Sequence, residues 1–219
     1  MRRSKLISLA LILVLNGCSQ MPLLSGLMNA SSEDAAKEGD LRDDFSDKKS
    51  GWEEILISEG SAGYIKDTYQ ITVNHPNTDI FTTFTKTFVN SEVVVKAVRT
   101  AGADDNNFGV ICRYQDPKNF YAGQINSDGT AGIFKIENGK YQLIGNKHMI
   151  PVPAILGGNG KNEVRFECIE KTLTLSVNGV LADSQEDDTF RSGEIGLIAG
   201  VLDGDSGVFQ FDDLTATAR

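Results

Sequence analysis

The run FGVICRYQDPKNFYAGQINSDGTAGIFKIENGKYQLIG, residues 108–145, leaves few folds open to the chain. Short stretches rich in β-branched and aromatic residues lie between Asp, Asn and Gly clusters, the pattern of four strands joined by three tight turns. Asn138-Gly139 is a two-residue hairpin signal, because both central positions need positive φ and these two residues tolerate it. That turn pairs Ile136 with Tyr141 and Phe134 with Leu143. If residues 127–130 and 116–119 are four-residue turns, Tyr121, Ile125, Val110, Cys112 and Tyr114 join the same apolar side. The opposite side then carries Ile111, Arg113, Ala122, Gln124, Ile133, Lys135, Gln142 and Ile144, since side chains alternate with a period of two. Such a mixed second face suits either an ordinary solvated sheet surface or the floor of a groove.

Beyond this run, helical periodicity is nearly absent. Further strands are expected over residues 69–73, 80–84, 91–100, 163–169, 172–177, 194–199 and 208–217, enough for two packed sheets. A turn at Glu170-Lys171 sets Val164, Phe166 and Cys168 opposite Val177, Leu175 and Leu173, so that all six face one way. Asn178-Gly179 makes a further reversal. Pro151, Pro153 and the glycines of 157–160 mark one long loop.

The amino terminus carries different information. Residues 1–17 combine a basic start, an apolar run and small residues ahead of a cysteine, the order of a secretory signal helix too short for a comfortable membrane span. Leu15-Asn16-Gly17-Cys18 resembles the lipobox of bacterial lipoproteins, which implies cleavage before Cys18 and acylation of that residue. Acyl chains hold a protein on a membrane, each buried methylene contributing about 0.8 kcal/mol. Residues 18–40 then form a flexible, lipidated tether, and residues 41–219 one domain. Ser19 in place of Asp after the cysteine implies, in a Gram-negative cell, the outer membrane. The protein is therefore expected in the cell envelope, lipid-anchored and extracytoplasmic.

Losing Arg2, Arg3 and Lys5 with the leader takes the formal charge from −9 to −12. An acidic chain is repelled by phosphate, which argues against nucleic acid as a partner.

Over residues 41–219 the motifs DDF and GW (Asp43 to Phe45, Gly51-Trp52), Gly63-Tyr64, the block from Phe108 to Tyr121, LTLSVNG (Leu173 to Gly179), SGEIGLIAG (Ser192 to Gly200) and FDDL (Phe211 to Leu214) resemble concanavalin A-like, laminin G-like jelly rolls. These include the keto-disaccharide hydrolase-like domains. The resemblance implies an all-β, two-sheet antiparallel sandwich with first and last strands side by side, and a sugar site, where there is one, on the concave sheet. It is specific for fold and weak for function, because the superfold hosts lectins, carbohydrate-binding modules, glycosidases and adhesion domains.

With Cys18 assigned to lipid, Cys112 and Cys168 remain. In an oxidising compartment they are either a disulfide between strands or two buried thiols. No organic cofactor is implied. Structural calcium is the metal to weigh, because laminin G-like sandwiches often hold one where the chain ends meet, and Asp43, Asp44, Asp212 and Asp213 flank both ends with hard oxygen donors. The same carboxylates also read as solvated groups beside core phenylalanines.

Catalytic patterns are missing from the sequence. There is no alternating carboxylate string of the sandwich glycosidases, no nucleophile elbow and no histidine-centred triad. The leading expectation is a non-catalytic domain that binds carbohydrate or another envelope component through Arg113, Gln124, Lys135 and Gln142, with Trp52, Phe120 or Tyr121 to stack on a sugar and Trp52 better suited to the core. A glycoside-processing enzyme and a structural spacer are the alternatives.

Overall fold

The structure is a computed structural model that describes residues 39–204 and 206–219. The signal, Cys18 and all but the last two residues of the 18–40 tether lie outside the described residues. Among the latter none is helical. The strands are β1 (Leu41–Asp43), β2 (Ile55–Leu56), β3 (Gly60–Ile65), β4 (Thr68–Val73), β5 (Thr78–Phe88), β6 (Ser91–Gly102), β7 (Asn106–Asp116) and β8 (Asn119–Ile125). They continue as β9 (Thr130–Glu137), β10 (Lys140–Leu143), β11 (Ile150–Pro151), β12 (Asn162–Ile169), β13 (Thr172–Val177), β14 (Val180–Glu186), β15 (Gly193–Val201) and β16 (Gly207–Ala218).

These strands make two antiparallel sheets. The nine-stranded one runs β14-β13-β12-β6-β16-β4-β3-β2, with β1 also on β16, and the seven-stranded one runs β10-β9-β8-β7-β15-β5, with β11 on β9. First and last strands are neighbours, as Leu41 pairs with Ala216 and Asp43 with Leu214. Around Glu170-Lys171, Val164, Phe166 and Cys168 pair with Val177, Leu175 and Leu173 in the expected register. All six are fully buried. They face Val110, Tyr121, Ile125 and Leu197 of the other sheet in one core. Burying each large apolar side chain contributes about 1.5–3 kcal/mol, whereas an exposed pair such as Lys171–Glu186 (side chains 59% and 63% accessible) contributes little. The core holds the fold.

Two irregularities overturn half of the expected face pattern. Ile125 pairs with Ala131, so the connection is the five residues 126–130 rather than four. One extra residue inverts every side chain downstream: Phe134, Ile136 and Tyr141 stand on the outer face, while Ile133 and Lys135 point between the sheets. The hairpin at Asn138-Gly139 has the expected pairing. The second irregularity is a bulge between Cys112 and Asp116, where Arg113 adopts φ 51°. It swings Tyr114 outward against Phe81 and Phe120, at ring-centroid distances of 6.0 and 5.8 Å, and turns Arg113 inward.

Lys135, once inside, finds Asp187 at 2.8 Å and the Thr189 hydroxyl at 3.0 Å. The Tyr121 hydroxyl donates to the same carboxylate and accepts from the Phe190 amide, fastening the β14–β15 connection to the sheet. Burial raises the Asp187 carboxyl, but the hydrogen bonds from Lys135, Thr189 and Tyr121 outweigh it and hold the group at about 2. A depressed folded-state value gives stability that is complete above the unfolded value, about 3.9, and is lost as pH falls through about 2. Asp187→Asn is expected to remove about 2 kcal/mol at pH 7 and to flatten this part of the acid limb, read from urea midpoints between pH 6 and 2. An unchanged acid limb would show that the ion pair is neutral to folding.

Candidate functional site

The outer face of the seven-stranded sheet is a trough. Asp79 on edge strand β5 and Tyr141 on the opposite edge strand β10 line one cavity of about 300 Å³, together with Asn107, Phe134, Met149 and Val201. Small residues stand in line across the strands of the floor. Gly200 pairs with both Asp79 and Asn107, and Gly109 pairs with Gln124, which pairs in turn with Gly132. A β-carbon at position 200 would collide with carboxyl Oδ1 of Asp79 and amide Oδ1 of Asn107, so both oxygens lean over that glycine. Further along the same face, Ile111, Phe120, Ala122, Ile136 and Ile198 form a second apolar cluster under Phe81, Tyr114 and Phe134.

The polar groups of the trough interact. Burial raises the Asp79 carboxyl, and hydrogen bonds from Tyr141 and Asn107 only partly offset this. The Tyr141 phenol is raised in turn, first by burial and then by the Asp79 charge. Although 46% of Tyr141 is accessible, its hydroxyl end is turned in toward Asp79, leaving the rest of the residue open. Its ring lies 6.4 Å from that of Phe134. An exposed aromatic beside one carboxyl and two carboxamides can stack on an apolar sugar face while bonding its hydroxyls. A neighbouring hollow of about 260 Å³, lined by Glu53, Phe81, Tyr114 and Pro117, shares Asp79 with the trough.

No protein-family model and no curated protein matches the chain. Solved structures do resemble it. The carbohydrate-binding module CBM66 from Bacillus subtilis superposes with a TM-score of 0.62 at 18% identity, over 77% of this chain and 96% of its own. The Bacillus licheniformis β-glucanase gives 0.59 at 9% identity, over 84% and 100%. The GH43 protein BlXynB from Bacillus licheniformis gives 0.60 at 15% identity, over 84% of this chain and 40% of its own. The domain has the fold of a concanavalin A-like jelly roll.

Within this jelly roll the five residues assigned from sequence to ligand binding do not share a surface. Gln124 is on the same face as the trough but fully buried, beside rather than in the lining of the cavity. Phe120 is on the same side but only 1% accessible, packed beneath Phe81 and Tyr114 rather than offered to a ligand. Lys135 points between the sheets, and Gln142, its cross-strand partner, is exposed at the edge. Arg113 is 2% accessible, its guanidinium donating to the carbonyls of Val89, Phe190 and Cys168 and to Asn90 Oδ1. The other two stacking candidates are buried as well, Trp52 at 4% and Tyr121 at 0%. Asp79, Asn107, Tyr141 and Met149 were missed. Alternation along β5, where Asp79, Phe81 and Thr83 interleave with Ile80, Thr82 and Phe84, was the available signal for Asp79.

The four aspartates at the chain ends do not gather either. Asp43 accepts from the Phe45 amide at 2.7 Å, from the Ser50 hydroxyl and from Trp52 Nε1 at 2.9 Å, so both its oxygens serve the fold. Asp44 bonds Ser46, Asp213 pairs with Lys96 and Asp212 with Lys161. Among the described residues no group of three or more His, Cys, Asp or Glu side chains is placed to hold a metal ion. Cys112 on β7 and Cys168 on β12 are joined by a disulfide that ties the two sheets together, with the Cα atoms 6.7 Å apart.

Proposed function

We propose that the chain is a lipid-anchored, extracytoplasmic domain that binds carbohydrate without transforming it, and that the trough between Asp79 and Tyr141 is the site. The observation carrying this proposal is the combination, in one cavity, of an open tyrosine ring with carboxyl and carboxamide groups over a glycine floor. The resemblance to a carbohydrate-binding module and to glycosidases supports a carbohydrate ligand. The sequence before the domain, with its lipobox at Cys18, supports the anchor, and an inter-sheet disulfide suits an oxidising compartment.

Glycoside hydrolysis is the second reading, favoured by the raised Asp79 carboxyl and by Glu53 lining the hollow that Asp79 shares. It calls for two carboxyls across one scissile bond, about 5–5.5 Å apart for retention. The 300 Å³ cavity itself is lined by a single one, Asp79.

A glycan array probed with residues 19–219, followed by calorimetry on the tightest glycan, tests the site. Tyr141→Ala is expected to weaken binding at least about tenfold, as removal of a stacking aromatic does. Unaltered affinity would place the site elsewhere, and hydrolysis that Asp79→Asn abolishes would make the domain an enzyme. Mass spectrometry of the membrane-extracted protein tests the anchor, the expected mature terminus being an acylated Cys18.

A further inference from the structure

Gln124 is fully buried, yet neither its Oε1 nor its Nε2 has a hydrogen-bond partner. Asn107 is 6% accessible and its Oδ1 is likewise unpaired. Both side chains stand on the outer face of adjacent strands, Asn107 lining the cavity and Gln124 buried between Gly109 and Gly132. Buried amides are almost always satisfied, because an unpaired polar atom away from water is destabilising. Hydrophobic residues of similar shape would suit folding better at position 124. The positions directly opposite Gln124 are both glycine, Gly109 and Gly132, so neither flanking strand sets a side chain of its own beside the amide. Leu143 and Met149 close over Gly132 from above, with Leu143 Cδ1 2.6 Å and Met149 Cγ 3.3 Å from where a β-carbon would stand.

The unpaired atoms define what can satisfy them. A carboxamide presents an acceptor and a donor side by side, so its partner must offer a donor and an acceptor at the same spacing. Two adjacent sugar hydroxyls do this, one donating to Oε1 and the other accepting from Nε2. A third hydroxyl can donate to Asn107 Oδ1. A carboxylate could meet only the Nε2 donor, and it would face two amide oxygens and Asp79. Two cations of β9 and β7 do not offset this repulsion: Lys135 is paired with Asp187, and the Arg113 guanidinium binds backbone carbonyls. An ammonium group would leave Nε2 unsatisfied.

We infer that the floor of the trough is a subsite for a neutral vicinal diol, held by Gln124 and Asn107 and entered by displacing the Met149 side chain. Met149 suits the role of cover because its unbranched side chain repacks readily. The ligand class is thereby narrowed to uncharged glycans with two free neighbouring hydroxyls. The subsite depends on the trough being the glycan site proposed above, and the following experiment separates the two.

Residues 19–219 are titrated calorimetrically with cellotetraose, maltotetraose, xylotetraose, mannotetraose and an inulin-derived fructotetraose, and with trigalacturonate as the anionic member. At least one neutral oligosaccharide is expected to bind and trigalacturonate to fail. Periodate cleavage followed by borohydride reduction of the bound oligosaccharide, which destroys its vicinal diols, is expected to weaken binding about tenfold or more, as for buried polar groups left unpaired. Gln124→Met should cause a similar loss while leaving Tm equal or higher, since it removes an unpaired amide at constant shape. The periodate arm uses the unaltered protein and stands even if the variant fails to fold. Preference for trigalacturonate would overturn the inference. So would affinities within twofold after both changes when Tyr141→Ala abolishes binding, an outcome that leaves the trough in place. Binding by none of the six, or binding that Tyr141→Ala does not touch, would overturn the trough and the subsite together.

Discussion

Replacing Cys112 and Cys168 together by alanine is expected to lower the unfolding free energy by about 4 kcal/mol, the loop-entropy value for a cross-link spanning 56 residues. The bond joins β7 of one sheet to β12 of the other, and both cysteines are fully buried. Most of its effect lies in the unfolded chain, whose freedom the cross-link restricts. Dithiothreitol should leave the native protein oxidised, because the sulfurs are inaccessible, and should act only once urea exposes them. Comparing the reduced wild type with the alanine pair separates the two contributions: reduction removes the cross-link alone, whereas alanine adds a small cavity. A loss below about 1 kcal/mol in both would mean that packing alone aligns the sheets.

What the sequence disclosed and what it hid divide along a physical line. Turn chemistry and period-two alternation set local pairings, so Asn138-Gly139 and Glu170-Lys171 yielded registers that the structure reproduces. Face assignment is a running count from turn to turn, and it fails at the first miscounted residue. The five-residue connection at 126–130 and the positive φ of Arg113 were two such points. Neither has a composition signal strong enough to read, since Asn126, Ser127, Asp128 and Gly129 suit a loop of either length and an arginine in the left-handed region is unexpected. Tyr114 after Arg113, and the side chains of β9 and β10 after the 126–130 connection, came out on the opposite face, so that Tyr141 had been counted to the core and Lys135 to the surface.

The candidate site suffered most, because its cavity is lined from five strands, β5, β7, β9, β10 and β15, whose order in the sheet differs from their order in the chain. Asp79 and Asn107 are 28 positions apart in sequence and meet only across Gly200 of β15. No local pattern announces such a meeting. Its one visible trace is glycine where a β-strand would ordinarily carry a side chain, at positions 109, 132 and 200. Strand-interior glycine often marks close approach of another group, and here the approaching groups are the Gly123 carbonyl at 109, Leu143 and Met149 at 132, and the Asp79 and Asn107 oxygens at 200.

Removing the guanidinium of Arg113 is expected to be as costly as removing the disulfide. Its donors reach the carbonyls of Val89 and Phe190 at 3.2 and 2.9 Å, Asn90 Oδ1 at 3.4 Å and the Cys168 carbonyl at 3.1 Å. One side chain thereby joins the β5–β6 turn, the β14–β15 connection and the end of β12. Burial lowers its pKa from the ordinary arginine value, but at physiological pH it stays charged, and fixed backbone dipoles take the place of a carboxylate. Arg113→Met keeps the hydrophobic stem and leaves these acceptors without their donor, which should cost about 3–5 kcal/mol in urea unfolding. Arg113→Lys should recover less than half of the loss, because a single ammonium cannot span acceptors that a planar fork reaches. The Cys168 carbonyl adjoins the disulfide, so Arg113→Met combined with the alanine pair should depart from additivity by at least about 0.5 kcal/mol. Full rescue by lysine, or a loss under about 1 kcal/mol in Arg113→Met, would show that this buried cation merely fills space.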